Sequence, residues 1–292
     1  MSTNDQPTNG QPQHLAEKST PVFLLQLFLI PGVIVIICVA ILLLFTWLAG
    51  GEKTVKDYIN EVRTERGNSR WQAAYELSQV LTREKTRRTD PSVVPALVEL
   101  LTDSLNRPDP EVRRYLVIAL GRLADKQAAQ VLIAALGDRD EQTKIYAIWA
   151  LGALGSVEAV PSIIKAMEDE SGGVRKMAAY TLGVLKDPSV TYTLRTALND
   201  REEDVRWNAA LALAQVGDSS GFSVIQAMMN RGYLNRIAEM SEERKVEAIT
   251  NAIKAVVLLR EYNQREQLVA ISKSDPNLKV RQAAMDALAE MR

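Results

Sequence analysis

A pattern of aliphatic and small residues returns every 31 residues through the middle of this chain. Four segments align without gaps: 110–124, 141–155, 172–186 and 203–217. Each carries one cation near its start (Arg113, Lys144, Arg175 and Arg206), and the successive separations are 31, 31 and 31. Looser copies surround Arg70, Lys245 and Arg281, which makes seven units with wider spacing outside the central four. One such unit is too small to bury its own apolar face, so neighbours must stack, and the stack is the fold. The chain is 47% hydrophobic but only 5% aromatic, so the stack is built from aliphatic side chains and is expected to be helical.

Each unit reads as two helices. The first is short, as in 128–137 or 159–168, and the second begins at the cation. With the cation as position zero, small residues fall at +3 and +4 (Ala178 and Ala179, Ala209 and Ala210). Leu falls at +7 (Leu120, Leu151, Leu182, Leu213, Leu288), and Gly or Ala at +8 (Gly121, Gly152, Gly183, Ala214, Ala289). That spacing lays one apolar stripe along a helix whose small residues permit close approach of the next helix. A mid-helix Gly costs roughly 1 kcal/mol against Ala, so its return at one repeat position implies a packing demand. An Asp recurs six residues before the cation (Asp138, Asp169, Asp200, Asp275). There it can accept backbone N–H bonds at the turn between the helices, and the cation can bond the Asp of the next unit, giving a ladder along the stack. Carboxylates spread along a ladder do not converge on one reaction centre, so a structural role is the expectation for them.

The pattern D-x4-V-R-x2-A-A-x2-L-G-x-L resembles HEAT repeats, of the short PBS-lyase-like kind, over about residues 54–292. The resemblance implies an all-α fold: an α-solenoid of about seven HEAT-like helical hairpins. Proteins of this kind include scaffolds, adaptors, phycobilin lyases and metal-dependent hydroxylases. The hydroxylases need His-Glu metal pairs. The only His here is His14 and the only Cys is Cys38, so no metal site, disulfide or His-dependent catalytic centre is expected in the repeats. Lys and Arg number 35 against 36 Asp and Glu, which gives no basic excess for nucleic acid. A non-enzymatic protein without cofactor is the expectation.

In such repeats, positions +1, +5 and +9 of the second helix line the concave face and are usually polar. Here units one to five place Trp71, Tyr75, Ile118, Ile145, Trp149, Tyr180, Trp207 and Leu211 on that row. Three of the four Trp residues are there, and Trp and Tyr are favoured anchors of protein interfaces. The row is expected to grip a helix or extended segment of a protein partner, unless some of its rings fold back over the seams between units as core. The last two units revert to Val246, Thr250, Lys254 and Gln282, Asp286, Glu290. The stretch 230–244 lengthens the fifth unit and reads either as a partner-contacting insertion or as a longer first helix.

Residues 1–20 form a polar tail with no apolar periodicity, expected to be disordered. Residues 21–50 contain no charged side chain, and Ile30–Ala49 alone has the ~20 residues that cross a bilayer. The run is long for a signal peptide and lacks both a cationic lead and a clear cleavage site, so a retained transmembrane helix is expected, starting or kinking at Pro31-Gly32, with Trp47 at the far headgroup level. Lys53, Lys56, Arg63, Arg66 and Arg70 follow the run and only Lys18 precedes it, which favours a cytoplasmic solenoid. Residues 51–53 are a short linker. The four residues 50–53 reach no more than about 14 Å, so the first repeat would ride beside the membrane. The loop cations Arg83, Lys85, Arg87 and Arg88 either touch anionic lipid headgroups or form an ordinary solvated loop. The combined expectation is a membrane-tethered scaffold for a membrane or membrane-adjacent protein partner. A structural subunit of a larger membrane complex and a tetrapyrrole-binding lyase are the alternatives.

Overall fold

A computed structural model describes residues 20–48, 53–81 and 90–291; within the first of these stretches, side chains are described at 29 and 31–44. The chain divides into two compact units, Met1–Lys53 and Thr54–Arg292. Among its described residues the first holds one helix, α1 (Thr20–Leu48), which runs without interruption through Pro31. Pro31-Gly32 therefore does not start it. Its described side chains are exposed and apolar on every side, Leu29 to Leu44. Counted over the described residues, no helix is long and apolar enough to cross a membrane. The expected span at 21–50 is thus carried by the sequence of α1 alone, and the expected tail, most of the linker and the loop cations Arg83, Lys85, Arg87 and Arg88 lie outside the described residues.

The second unit is all helix among its described residues, arranged as seven pairs. The pairs are α2 (Val55–Thr64) with α3 (Asn68–Val80), α4 (Val93–Ser104) with α5 (Pro110–Leu123), and α6 (Ala129–Ala135) with α7 (Glu141–Leu154). Then follow α8 (Val160–Ala166) with α9 (Gly172–Leu185), and α10 (Thr191–Ala197) with α11 (Glu203–Gln215). The sixth pair is α12 (Phe222–Met229) with α14 (Glu242–Leu258), separated by the one-turn helix α13 (Arg231–Leu234); the seventh is α15 (Arg265–Ser274) with α16 (Leu278–Glu290). The stretch after 230 is therefore not a longer first helix, because the chain breaks at Asn230, whose side chain caps α13 by accepting the Tyr233 N–H.

Local chemistry sets the helix boundaries. Asp140, Ser171 and Ser241 cap α7, α9 and α14 by accepting N–H bonds from Thr143, from Gly173 and Val174, and from Arg244. Gly155 ends α7 at φ 64°, a conformation that a residue without Cβ adopts freely. Asp125, Asp187 and Asp218 then start single 3-10 turns that lead into α6, α10 and α12, each accepting the N–H two residues on.

The second helices stack directly on one another and approach more closely than the first helices do. Small residues make this possible. An ideal Cβ at Gly121 would fall 2.8 Å from Ala150 Cβ and 2.5 Å from the Trp149 ring. At Gly183 it would fall 2.7 Å from Ala212 Cβ and 2.8 Å from the Ala212 backbone, and at Gly152 it would meet Thr181 at 2.9 Å. The glycine at +8 therefore lets each second helix lie against residue +6 of the next. Fully buried Leu116, Leu120, Leu151, Leu182 and Leu213 fill the layer between the two helix rows. Gly183→Ala should lower stability by about 1–3 kcal/mol through overpacking, against the roughly 1 kcal/mol that the same change gains in an open helix. A urea midpoint that rises in this variant would show that the seam has room.

Candidate interaction surface

The cations that mark the repeat hold the second helices in register. Arg175 donates from Nε and Nη2 to the two oxygens of Asp200 at 2.8 and 2.9 Å, bridging α9 to the turn before α11. Arg113 reaches Asp138 with Nη2 to Oδ1 at 3.1 Å, and its buried Nε lies 2.6 Å from Oδ2 but too poorly aligned for a hydrogen bond. Lys144 pairs with Asp169, and Arg70 with Asp109. Each Arg also turns back on its own unit: Nη1 of Arg113, Arg175, Arg206 and Arg281 donates to the carbonyl six residues earlier, at 2.6, 2.9, 2.8 and 2.6 Å. The matching aspartates accept the N–H two residues on, from Asp140, Ser171, Glu202 and Asn277. The guanidinium thus ties its own turn to the next unit's turn, where the sequence pattern suggested only the second tie.

The ladder changes hands after the fifth unit. Arg206 has its own-turn carbonyls and Glu203 at 3.5 Å, with no Asp from the next unit. Lys245 bonds Asn235 instead of an acid. Arg231 of α13 takes over, donating to both oxygens of Asp275 at 2.8 Å and to Glu242 at 2.6 Å. The insertion therefore supplies the rung that the wider spacing would otherwise lose.

Along the row, the eight sequence-predicted residues divide into three groups, exposed, half-buried and buried. Tyr75 and Tyr180 are 38% and 48% exposed, and Val184 beside Tyr180 is exposed as well. Trp71, Ile118, Ile145, Trp149 and Leu211 are half-buried. Tyr115 on α5 stacks on Trp71 (centroids 6.5 Å apart) and meets Tyr75 edge-on at 5.2 Å, so three rings from adjacent units form one aromatic step. Trp149 leans over Gly121, covering the seam between α5 and α7. Trp207 is only 8% exposed and belongs to the core of the C-terminal units. It leaves the expected open row because Ile237 and Met240 of the insertion close over the same place. The row is also polar in part: Arg114 binds Asp140 through two contacts at 2.8 and 2.5 Å, and Asp204 binds both Lys176 (3.3 Å) and Arg244 (2.8 Å).

Where the insertion meets the row, a cleft of about 560 Å³ opens over the N-terminal ends of α9 and α11. Trp207, Ile237 and Met240 give it an apolar floor, and Glu141, Glu202, Glu203 and Asp204 outnumber Lys176 and Arg244 on its rim. Sequence reasoning singled out Trp207 but not the carboxylates, which come from the third and fifth units and converge only in the folded stack. Among the described residues, no group of His, Cys, Asp and Glu could hold a metal ion.

The family model for HEAT repeats matches residues 98–180 and 160–243, together half of the chain. The chain belongs to the HEAT-repeat family. The X-ray structure of Escherichia coli YibA is similar to this fold at TM-score 0.56 and 18% identity, covering 83% of each chain. An engineered protein solved by crystallography aligns at TM-score 0.45 and 19% identity over 81% of this chain and 96% of its own. A designed armadillo repeat protein in complex with the peptide (KR)4 aligns at TM-score 0.42 and 18% identity, over 82% of this chain and all of its own. No curated protein matches.

The rungs make the HEAT stack acid-sensitive in a defined direction. The Arg114 guanidinium, helped by Thr143, holds the Asp140 carboxyl far below its ordinary 3.8 despite partial burial. The Arg175 guanidinium also lowers the Asp200 carboxyl, against its own burial. A carboxylate whose folded value is depressed stabilises the fold above its unfolded value, and that stabilisation is lost as pH falls through the folded value. The melting temperature should therefore stay level down to about pH 5 and fall steeply from about pH 4 to about pH 2, with a shallower fall in Asp200→Asn. An equal acid slope in that variant would remove the rungs from the account.

Proposed function

We propose that this chain is a membrane-tethered scaffold that binds a protein partner along the second-helix row of its solenoid, without catalysing a reaction. The observation that carries this reading is the exposed strip of Tyr75, Tyr180 and Val184 on a row flanked by half-buried Trp71, Ile145 and Trp149. Exposed rings on a rigid, preorganised surface supply contact area at small entropic cost, which is what a binding strip needs. The ladder supports the same reading, because it fixes the spacing between rings of successive units. The acidic rim of the cleft favours a partner segment with a Lys or Arg near an apolar residue.

The tether in this reading is α1. It lacks any charge from Thr20 to Leu48, and its described side chains show no polar face that a soluble neighbour or water would require. Lys53, Lys56, Arg63 and Arg66 follow α1 in the sequence, which supports a cytoplasmic solenoid in this reading by the positive-inside bias. A partner that is itself in the membrane, or docked on it, follows from so short a connection. The only His and the only Cys, His14 and Cys38, precede the repeats, and the repeat carboxylates are occupied in rungs and caps, which supports a role in binding over chemistry.

The Tyr75→Ala, Tyr180→Ala double variant tests this. Both rings are exposed, so the solenoid should keep its melting temperature within a few degrees, while the partner co-purified from mild detergent with the wild-type chain should drop at least tenfold. Undiminished recovery of that partner by a folded double variant would rule out the strip as the binding surface.

A further inference from the structure

Trp207 stands at position +1 of the fifth unit, on the row, yet it is covered. Its cover is the non-helical segment 235–241 between α13 and α14, which packs Ile237 and the buried Met240 against the same apolar cluster. That segment is weakly built. No N–H of residues 238–241 donates to another backbone group among the described residues. Glu239 holds φ 55°, a conformation that a residue with a Cβ adopts only at a cost. Its outer side chains, such as Arg236, Ala238 and Glu239, are exposed. Few backbone bonds and an open outer face mark a segment that opens before the rest of the fold.

Both flanks of this segment are fastened to one place. On the α13 side the Tyr233 hydroxyl donates to Glu203, and on the α14 side Arg244 Nη2 donates to Asp204 Oδ1 at 2.8 Å. Glu203 and Asp204 are neighbours in the first turn of α11, one turn before Trp207. Both carboxylates are shared: Arg206 lies 3.5 Å from Glu203, and Lys176 donates to Asp204 at 3.3 Å. The indole below borders two openings. One is the cleft of about 560 Å³, and the other, of about 130 Å³, reaches toward Leu211, Met228 and Asn251. Lys176, Asp204, Trp207 and Arg244 line both, so the ion pairs of Asp204 stand where the two openings meet. Close-packed cores leave few voids of this size, so the indole is covered without being packed on every side.

We infer that residues 235–241 are a strap that shields the fifth unit's share of the row in the free chain, and that a basic segment of the partner opens it by taking Glu203 and Asp204 from Tyr233 and Arg244. Opening uncovers Trp207 and joins the two openings into one groove, with an aromatic anchor on its floor. The sign of the opener follows from charge: Glu141, Glu202, Glu203 and Asp204 outnumber Lys176 and Arg244, so a Lys or Arg side chain is drawn in and an acidic one is repelled. A ligand shifts an equilibrium only by binding one state better than the other. A basic segment does so here, because the carboxylates it needs are occupied while the strap is closed. The consequence for partner binding rests on the proposed reading of the row; the closed strap does not.

Thiol labelling of the full chain in detergent tests this, because Cys38 is the only cysteine to remove. In a Cys38→Ala chain, Met240→Cys should react with N-ethylmaleimide about tenfold more slowly than Ala238→Cys on the outer face of the strap. Glu203→Gln with Asp204→Asn should speed Met240→Cys labelling about fivefold, and Tyr233→Phe with Arg244→Ala should do the same if the first pair fails to fold. A Leu-Arg-Leu-Lys-Leu peptide, blocked at both ends, should speed it as well, and Leu-Glu-Leu-Glu-Leu should not. Ala252→Cys, on the buried side of α14, should stay slow throughout, which separates strap opening from unfolding. These rates need neither the partner nor the tyrosine strip, so they decide the matter whatever the Tyr75→Ala, Tyr180→Ala variant shows. The inference is overturned by a Met240→Cys thiol that reacts as fast as Ala238→Cys, that ignores the loss of both fastenings, or that gains no more from the basic peptide than from the acidic one. A rise at Ala252→Cys in step with Met240→Cys overturns it too.

Discussion

The contact between successive second helices governs the rest of this structure. It combines two interactions of different character. Small residues at +8 let the backbones approach until a single methyl group would clash, as at Gly183 against Ala212. Beside that seam, a buried cation ties its own turn and the next turn together, as Arg175 does with Asp169 and Asp200. The apolar seam is non-directional and would tolerate sliding. The paired guanidinium and carboxylate are directional and do not. Packing supplies the cohesion, and the rungs specify the register.

Much of this was legible because repetition removes ambiguity. One Arg followed by small residues and Leu says little, but the same pattern four times at a constant interval fixes helix phase, pairing and the direction of each face. The Asp at −6 and the Gly at +8 were readable for that reason, and both occupy the expected places in the seam. The carbonyl bonds of each Arg to its own turn were not readable, since every turn offers carbonyls and no side-chain pattern marks which is used. The fate of Trp207 was not readable either. Its repeat position predicts an open row, but Ile237 and Met240, outside the repeat, close over it. The same non-repeating stretch contributes Arg231, which replaces a rung that the periodic residues cannot make. Deviations from the period are where local pattern loses its force, and here they create a cleft lined by both apolar side chains and carboxylates.

In the proposed reading, the second-helix row is the surface that a rigid array offers to a partner. Positions +1, +5 and +9 lie outside the central stripe of the seam, and only some of them, such as Trp149 and Trp207, are drawn into packing. In this chain they are split between ion pairs that brace neighbouring units, such as Arg114 with Asp140, and rings that do not complete the core, such as Tyr75 and Tyr180. Exposed aromatics raise the solubility hazard of the free protein, and a row that leaves Tyr75 and Tyr180 exposed fits a surface that a partner covers in the proposed reading. The charge-free α1 adds a second constraint of the same kind, because it too presents apolar side chains on every side.

Site-specific photocrosslinking in intact membranes tests the binding row most directly. A photoreactive phenylalanine analogue placed at Tyr75 or Tyr180 would sit on the row, whereas at Tyr192, the largely exposed ring on the first helices, it would sit outside it. The account predicts one shared adduct from positions 75 and 180 and none from 192. An adduct formed from 192 but from neither row position would contradict it.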